Sequence, residues 1–181
     1  MNCSDDDNSA GSDGNSAAGV IWPLAVGNEW NYVYFEYDST GAPLDEGADK
    51  ILITDTTTID EISWYAANTE TMLQNRSGGC WWIPAGGGAP SVLFKYPAAV
   101  GDVYTSGGLN ELVMQLQDKN VQVTVGQQAY IAYKYKRLYI GSDLRQYYYV
   151  VPSVGIVKWE DTDESGSYIA KMVLLTDFTL N

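Results

Sequence analysis

From Val20 onward the chain alternates short runs of β-branched and aromatic residues with clusters of Gly, Pro, Asn, Asp and Ser. Runs of this kind, bounded by turn formers, predict strands. "NEWNYVYFEYD" (28–38) is closed by the turn "STGAP", and "DKILITDTTTID" (49–60) is β-branched almost throughout. "ISWYAANTETMLQN" (62–75) predicts one long strand or two short ones, with "RSGG" after it. "CWWIPA" (80–85) and "SVLFKYP" (91–97) flank a glycine-rich loop. Further strands are predicted at 111–120, 121–125, 129–140, 145–152, 155–160 and 167–180. Only 111–118 has any claim to helix, and there Leu112, Met114 and Leu116 alternate with polar neighbours as a strand would. About ten short strands at turn spacings predict one all-β antiparallel domain over 20–181. Its form is a strongly curved sheet, a flattened barrel or a sandwich.

The alternation has an unusual feature. Trp30, Tyr32 and Tyr34 share one face of their strand, while Val33, Phe35 and Tyr37 share the other. Tyr148 and Val150 likewise oppose Tyr147, Tyr149 and Val151. A strand wet on one side should alternate apolar with polar. The second face is therefore expected to be covered by another layer, a partner or a ligand, or to belong to a thick aromatic interior.

One internal echo recurs. "PLAVGNEW" (23–30) matches "PAAVGDVY" (97–104), and "PSVGIVKW" (152–159) is a shorter relative. The expectation is a turn leading into a strand: Pro stiffens the approach, Val inserts into the core, Gly takes positive φ and Asn or Asp closes the turn.

Composition narrows the chemistry. There are 14 Tyr and 6 Trp against 3 Phe, a bias toward rings with an apolar body and a polar tip. The net charge of −13 argues against nucleic acid as a partner. "YKYKR" (133–137) is accordingly read as a strand with Ile131, Tyr133 and Tyr135 on one side and a solvated lysine face, Lys134 and Lys136, on the other. With no histidine, Ser-His-Asp and Cys-His catalysis and most zinc sites are excluded. No run of about 20 apolar residues is present to form a spanning helix.

Residues 1–19 are almost exclusively Ser, Asp, Asn, Gly and Ala, a composition expected to form a disordered tether. "WPLAVGNEWNY", "VTVGQQAYIAYKY" and "YYYVVPSVGIVKWE" occur in the order found in a family of uncharacterised bacterial envelope lipoproteins, which this chain resembles over most of 21–180. Ser153 stands where that family usually has Gly, and Gln127 follows the middle glycine. The resemblance implies a curved sheet or flattened barrel on a lipid-anchored tether, and no particular reaction. Cys3, followed by an acidic spacer, fits the lipid attachment residue of such proteins, and "CSDDD" is similar to the surface-export signal of some Gram-negative lipoproteins. No apolar leader segment precedes Cys3, which leaves two expectations: a cytosolic protein, or a numbering that starts inside a precursor, as lipid attachment requires. The expected location is the bacterial cell envelope, anchored at the outer membrane on its periplasmic or outer side.

Three functions follow as expectations. The first is a non-catalytic, lipid-anchored binding module for a glycan, a lipid or an envelope protein, with Trp81, Trp82, Tyr32, Tyr34 and Tyr148 as candidate ligand-facing aromatics. The second is a carrier of a hydrophobic guest in the concavity of the sheet. The third is a carboxylate hydrolase, for which Glu36 and Glu70 are candidates. No cofactor is implied. Asp161, Asp163 and Ser165 have the spacing of a calcium loop, but Met172 replaces its bidentate Glu and a polar turn is the better account. The two cysteines, Cys3 and Cys80, lack metal-ligand spacing.

Overall fold

The computed structural model describes residues 19–107, 112–139, 145–163 and 166–181. Among the described residues there are twelve strands and no helix. They are β1 (Glu29–Tyr37), β2 (Pro43–Ile59), β3 (Ile62–Ala67), β4 (Met72–Arg76), β5 (Gly78–Ile83) and β6 (Ser91–Tyr96). The second half comprises β7 (Val103–Ser106), β8 (Leu112–Val125), β9 (Gln128–Tyr139), β10 (Arg145–Val151), β11 (Gly155–Thr162) and β12 (Ile169–Thr179). The ambiguous 62–75 run is two strands, and Leu112–Val125 is one strand with irregular register rather than two. Strand β7, with four residues, is too short to show a period and was not expected.

The strands form a single antiparallel sheet in the order β6-β5-β4-β3-β2-β1-β12-β11-β10-β9-β8-β7. Every strand pairs with its neighbour in sequence except β6 with β7, and β1 pairs with β12. The order is thus circular, an up-and-down barrel with one open seam. Strand β2 makes the sharpest change of partner, pairing with β1 through Leu52 and with β3 from Ile53.

Side chains close the seam where a ladder does not. The Tyr104 hydroxyl on β7 donates to Leu93 O at 3.0 Å and accepts from Lys95 N at 3.1 Å, standing in for a strand partner of β6. Tyr135 reaches across from β9 to donate to Lys95 O at 2.7 Å. Trp82 Nε1 donates to Ser106 Oγ at 2.9 Å, and Lys95 pairs with Asp102 at 2.8 Å. The tyrosine bonds satisfy backbone groups of β6 that an edge strand would leave unpaired.

The inner face is a stack of register rows. One crosses β2, β1, β12, β11, β10 and β9 as Gly47, Tyr34, Val173, Trp159, Tyr148 and Tyr135. The residues before β1 plug the barrel: Ile21, Trp22 and Leu24 are buried in the core. Trp22 meets Trp30 edge-on at 5.5 Å between ring centroids, and its carbonyl accepts from Asn75 Nδ2 at 2.9 Å. A Cβ on Gly155 would lie 2.5 Å from the indole, so the third echo needs glycine both for its φ of 105° and for this approach.

The echo is confirmed as a recurring turn, with one correction. Gly27 and Gly101 have φ of 90° and 93°, and the bonds Asn28 N to Ala25 O and Asp102 N to Ala99 O are equivalent, both 3.0 Å. The valines do not insert into the core: Val26 is 50% exposed and Val100 58%. They sit at the turn apex, and the inward position falls two residues earlier, on Leu24 and Ala98.

The apolar second face also has a structural answer. Past the irregularities between Leu116 and Val121, the β8–β9 hairpin becomes an arm. Its residues Val121, Val123, Tyr130 and Ala132 pack in or against the core cluster, and its tip, Val125–Gln128, borders one groove with Val33 and Leu174. Part of the second face of β1 and β12 is therefore covered by the chain itself. The arm also corrects the expected pattern on β9. Tyr133 and Tyr135 belong to the interior, but Ile131 on the same side is 56% exposed while Ala132 is buried. Once the strand leaves the barrel and folds over its wall, the side that faced the wall's exterior becomes the packed one.

Tyr104→Phe should lower stability by about 1–3 kcal/mol, the cost of leaving buried backbone groups unpaired. Urea denaturation reads the loss, and amide exchange at Lys95 should accelerate more than exchange at central strands.

Candidate functional site

A pocket of about 240 Å³, open to solvent on one side, lies in the barrel. Its wall is mostly aromatic, with Trp22 from the plug, Trp82 and Phe94 from β5 and β6, and Tyr148 and Trp159 from β10 and β11. Leu73, Ile51 and Ile156 complete much of the apolar lining. Asp49 and Thr69 are exposed lining residues, which puts an opening between β2 and the β3–β4 turn. The volume exceeds the roughly 150 Å³ of an engineered apolar cavity able to hold benzene, and falls just below the roughly 300 Å³ where drug-sized sites begin.

Among the described residues one cation lines this cavity, Arg137, which is buried. Its Nη1 donates to the Tyr148 hydroxyl at 3.0 Å and to Gln146 Oε1 at 3.3 Å, and its guanidinium lies 5.1 Å from the centroid of the Trp82 ring. Tyr148 in turn donates to Gln146 Oε1 at 3.1 Å. Arg137 belongs to a polar row running Asp45, Glu36, Lys171, Asp161, Gln146 and Arg137 across six strands. Lys171 pairs with Glu36 at 2.8 Å and lies over the Tyr34 ring. Burial raises the Asp161 carboxyl above the usual range, against the lowering effects of a Gln146 hydrogen bond and of Lys171 and Arg137. Its Oδ1 is buried with no hydrogen-bond partner among the described residues.

The five candidate aromatics divide. Trp82 and Tyr148 line the cavity. Tyr32 is buried in the core, its hydroxyl donating to Ile156 O at 3.1 Å, and burial shifts its ionisation upward. Tyr34 is half-buried and donates to Asp45 at 3.3 Å. Trp81, on the opposite face from Trp82, is half-buried beside Arg76, whose guanidinium lies between Trp81 and Trp64 at 4.7 and 4.8 Å from the ring centroids. Arg76 Nε also donates to Gln74 Oε1.

Of the calcium-loop candidates, Asp161 lies in the polar row and Ser165 falls outside the described residues. Asp163 accepts from the Ser167 hydroxyl at 2.8 Å and from the Tyr168 amide at 3.3 Å, as a turn residue does. Cys3 also lies outside the described residues, and Cys80 is fully buried, its thiol pushed up to about 12 by desolvation. Of the two candidate carboxylates, Glu36 is held by Lys171, and Glu70 is an exposed residue in the β3–β4 turn.

Sequence reasoning missed Arg137, Asp49, Trp22 and Trp159 as cavity residues. A signal for Arg137 was present. The alternation that takes Tyr133 and Tyr135 inside carries Arg137 with them, although its neighbours mark the segment as a basic surface.

No family model and no curated protein matches the chain. Two solved structures resemble it in overall form. One, from Bacteroides fragilis, is described as an exported protein with a YmcC-like fold; it is 12% identical, and the match covers 90% of this chain and all of that one at a TM-score of 0.45. The other, from Parabacteroides distasonis, is described as a lipoprotein; it is 14% identical, covering 89% of this chain and 99% of its own, at a TM-score of 0.43. Likeness of this degree establishes neither membership nor function.

Replacing Asp161 tests the polar row. A carboxyl whose folded pKa is raised loses stability for the fold as pH climbs from below its unfolded value through the folded one. Asp161→Asn should therefore raise Tm at about pH 7, on the order of 1–3 °C, with the gain shrinking toward about pH 3. Thermal denaturation monitored by circular dichroism at the two pH values measures it.

Proposed function

We propose that this protein is a non-catalytic binding module of the cell envelope, lipid-anchored through Cys3, whose barrel interior holds one small, largely apolar guest. The observation that carries the reading is the cavity of about 240 Å³ walled by Trp22, Trp82, Phe94, Tyr148 and Trp159. Rigid aromatic walls with few polar groups are the usual make-up of a small-molecule site. Of the three expected functions, the hydrophobic-guest carrier accords best with an aromatic-walled concavity in the barrel interior. A glycan platform calls for aromatics in an open row, whereas Tyr32 is sealed in the core and Trp82 faces the interior. Hydrolysis calls for two carboxylates facing one cleft; Asp49 is the sole acid lining this cavity among the described residues. The anchor rests on the sequence: Cys3, its acidic spacer and the resemblance to envelope lipoproteins.

Titration with naphthalene should quench tryptophan emission saturably, with one guest per chain, because three indoles line the cavity. Leu73→Trp, which fills the space from β4, should abolish the saturable phase while leaving the circular dichroism spectrum unchanged. Absence of saturable quenching by naphthalene or by its charged derivatives sinks the guest-binding reading.

The anchor is tested separately by mass spectrometry of the protein expressed from its full gene. A diacylglyceryl-modified Cys3 is expected; an unmodified Cys3 with intact upstream sequence overturns it.

A further inference from the structure

We propose that the outer face of β3, β4 and β5 carries a second binding site, separate from the barrel interior, where Arg76 takes the carboxylate of a small organic acid between Trp64 and Trp81.

Leu73 and Trp82 line the barrel interior, so the alternation of β4 and β5 turns Gln74, Arg76 and Trp81 outward. Tyr65 lies opposite Leu73 and packs on the core, which turns its neighbour Trp64 outward from β3 as well. Trp64 is nevertheless buried, with the Arg76 guanidinium 4.8 Å from its ring centroid and 4.7 Å from that of Trp81. Two indoles and a hydrogen bond from Nε to Gln74 Oε1 hold this cation in one orientation. Gln74 is itself fixed, its Nε2 donating to Ser63 O at 2.9 Å. The guanidinium is thus set before a ligand arrives, which reduces the entropy lost on binding.

The charge so placed has no counter-ion among the described residues. Acids outnumber bases 23 to 10, and Lys50, Lys95, Lys158 and Lys171 each pair with a carboxylate, yet Arg76 pairs with none. Gln74 takes the Nε donor, and the remaining N–H donors, on Nη1 and Nη2, have no acceptor among the described residues. Neither of those two nitrogens is sealed from solvent. Burial lowers the pKa of the group and no neighbouring carboxylate offsets this, but a guanidinium keeps its charge at any ordinary pH. With indoles beside the guanidinium and Gln74 at Nε, the free end of the fork is Nη1–Nη2. Two parallel N–H···O bonds at such an end are the geometry of a carboxylate. The net charge of −13 adds a preference for a singly charged acid over a doubly charged phosphate, which the field of the whole protein repels more.

The test is a titration of the full chain with sodium acetate, held at constant ionic strength with sodium chloride and followed by proton–nitrogen correlation NMR. The Arg76 Nε–H and Trp81 Nε1–H resonances should shift saturably, with a Kd on the order of 10 mM, the strength of one solvated charge-assisted pair. Sodium phosphate should bind severalfold more weakly than acetate. Arg76→Lys keeps the charge but removes the planar fork, and should weaken acetate about tenfold as read at the Trp81 indole. Should that substitution disturb the fold, Gln74→Leu serves in its place: it releases Nε and should weaken acetate severalfold with the charge intact. Shifts that stay linear in acetate, or a saturable shift that survives Arg76→Lys unchanged, overturn the site. Phosphate binding as tightly as acetate overturns the choice of carboxylate. None of these results bears on the barrel cavity, which naphthalene tests on its own.

Discussion

The seam between β6 and β7 is the constraint on which the rest of the molecule depends. A circular order of twelve antiparallel strands brings these two sequence neighbours to opposite ends of one sheet. Without a ladder between them the sheet would be open, with two unsatisfied edges and an interior accessible to water. Tyr104 prevents this by acting as both acceptor and donor to the backbone of β6, and Tyr135 from β9 and Trp82 from β5 add further bonds. The polar tips of tyrosine and tryptophan do the work that a phenylalanine core could not, which gives a physical reason for the skewed aromatic composition. Of the side chains that stitch the seam, Trp82 also forms part of the cavity wall.

The interior is layered by register. Pairing across six strands sets a polar row, with Lys171, Asp161, Gln146 and Arg137, beside an aromatic row with Trp159, Tyr148 and Tyr135. Because side chains alternate with period two, the two rows are consecutive inward positions on every strand. The positive group at the cavity is thus a consequence of the same pairing that stacks the rings. On the outer side, aromatics are covered by cations: Lys134 lies over Tyr147 and Tyr149, and Lys158 over Tyr149, whose hydroxyl donates to Glu160 at 2.9 Å. Lysine stems shield apolar rings while keeping their charge wet.

Much of the fold was legible in the residues. Strands β1, β6, β9, β10 and β12 fall close to the runs that predicted them, because each is long enough for β-branched and aromatic enrichment to show. The Val-Gly echo identified turns correctly through their glycines but misplaced the valines, since a turn's outward apex and its inward flank cannot be told apart from composition. Trp22, lying outside any strand, gave no periodic signal at all, and only the closed barrel gives its ring a place to be buried. The covering of the second face by the β8–β9 arm was likewise beyond reach, because it depends on register irregularities between Leu116 and Val121 that local pattern does not encode.

By itself the sequence determined an all-β antiparallel domain, the exclusion of histidine chemistry and an acidic amino-terminal segment carrying Cys3. These follow from residue type and spacing, which act locally and need no partner. The tertiary structure alone decided that the sheet closes, that Trp82 and Tyr148 share a cavity while Tyr32 and Trp81 do not, and that Arg137 stands in its wall. Those outcomes require contacts between residues far apart in the chain. Their geometry is set by strand order and shear, which are properties of the whole barrel and of no single segment.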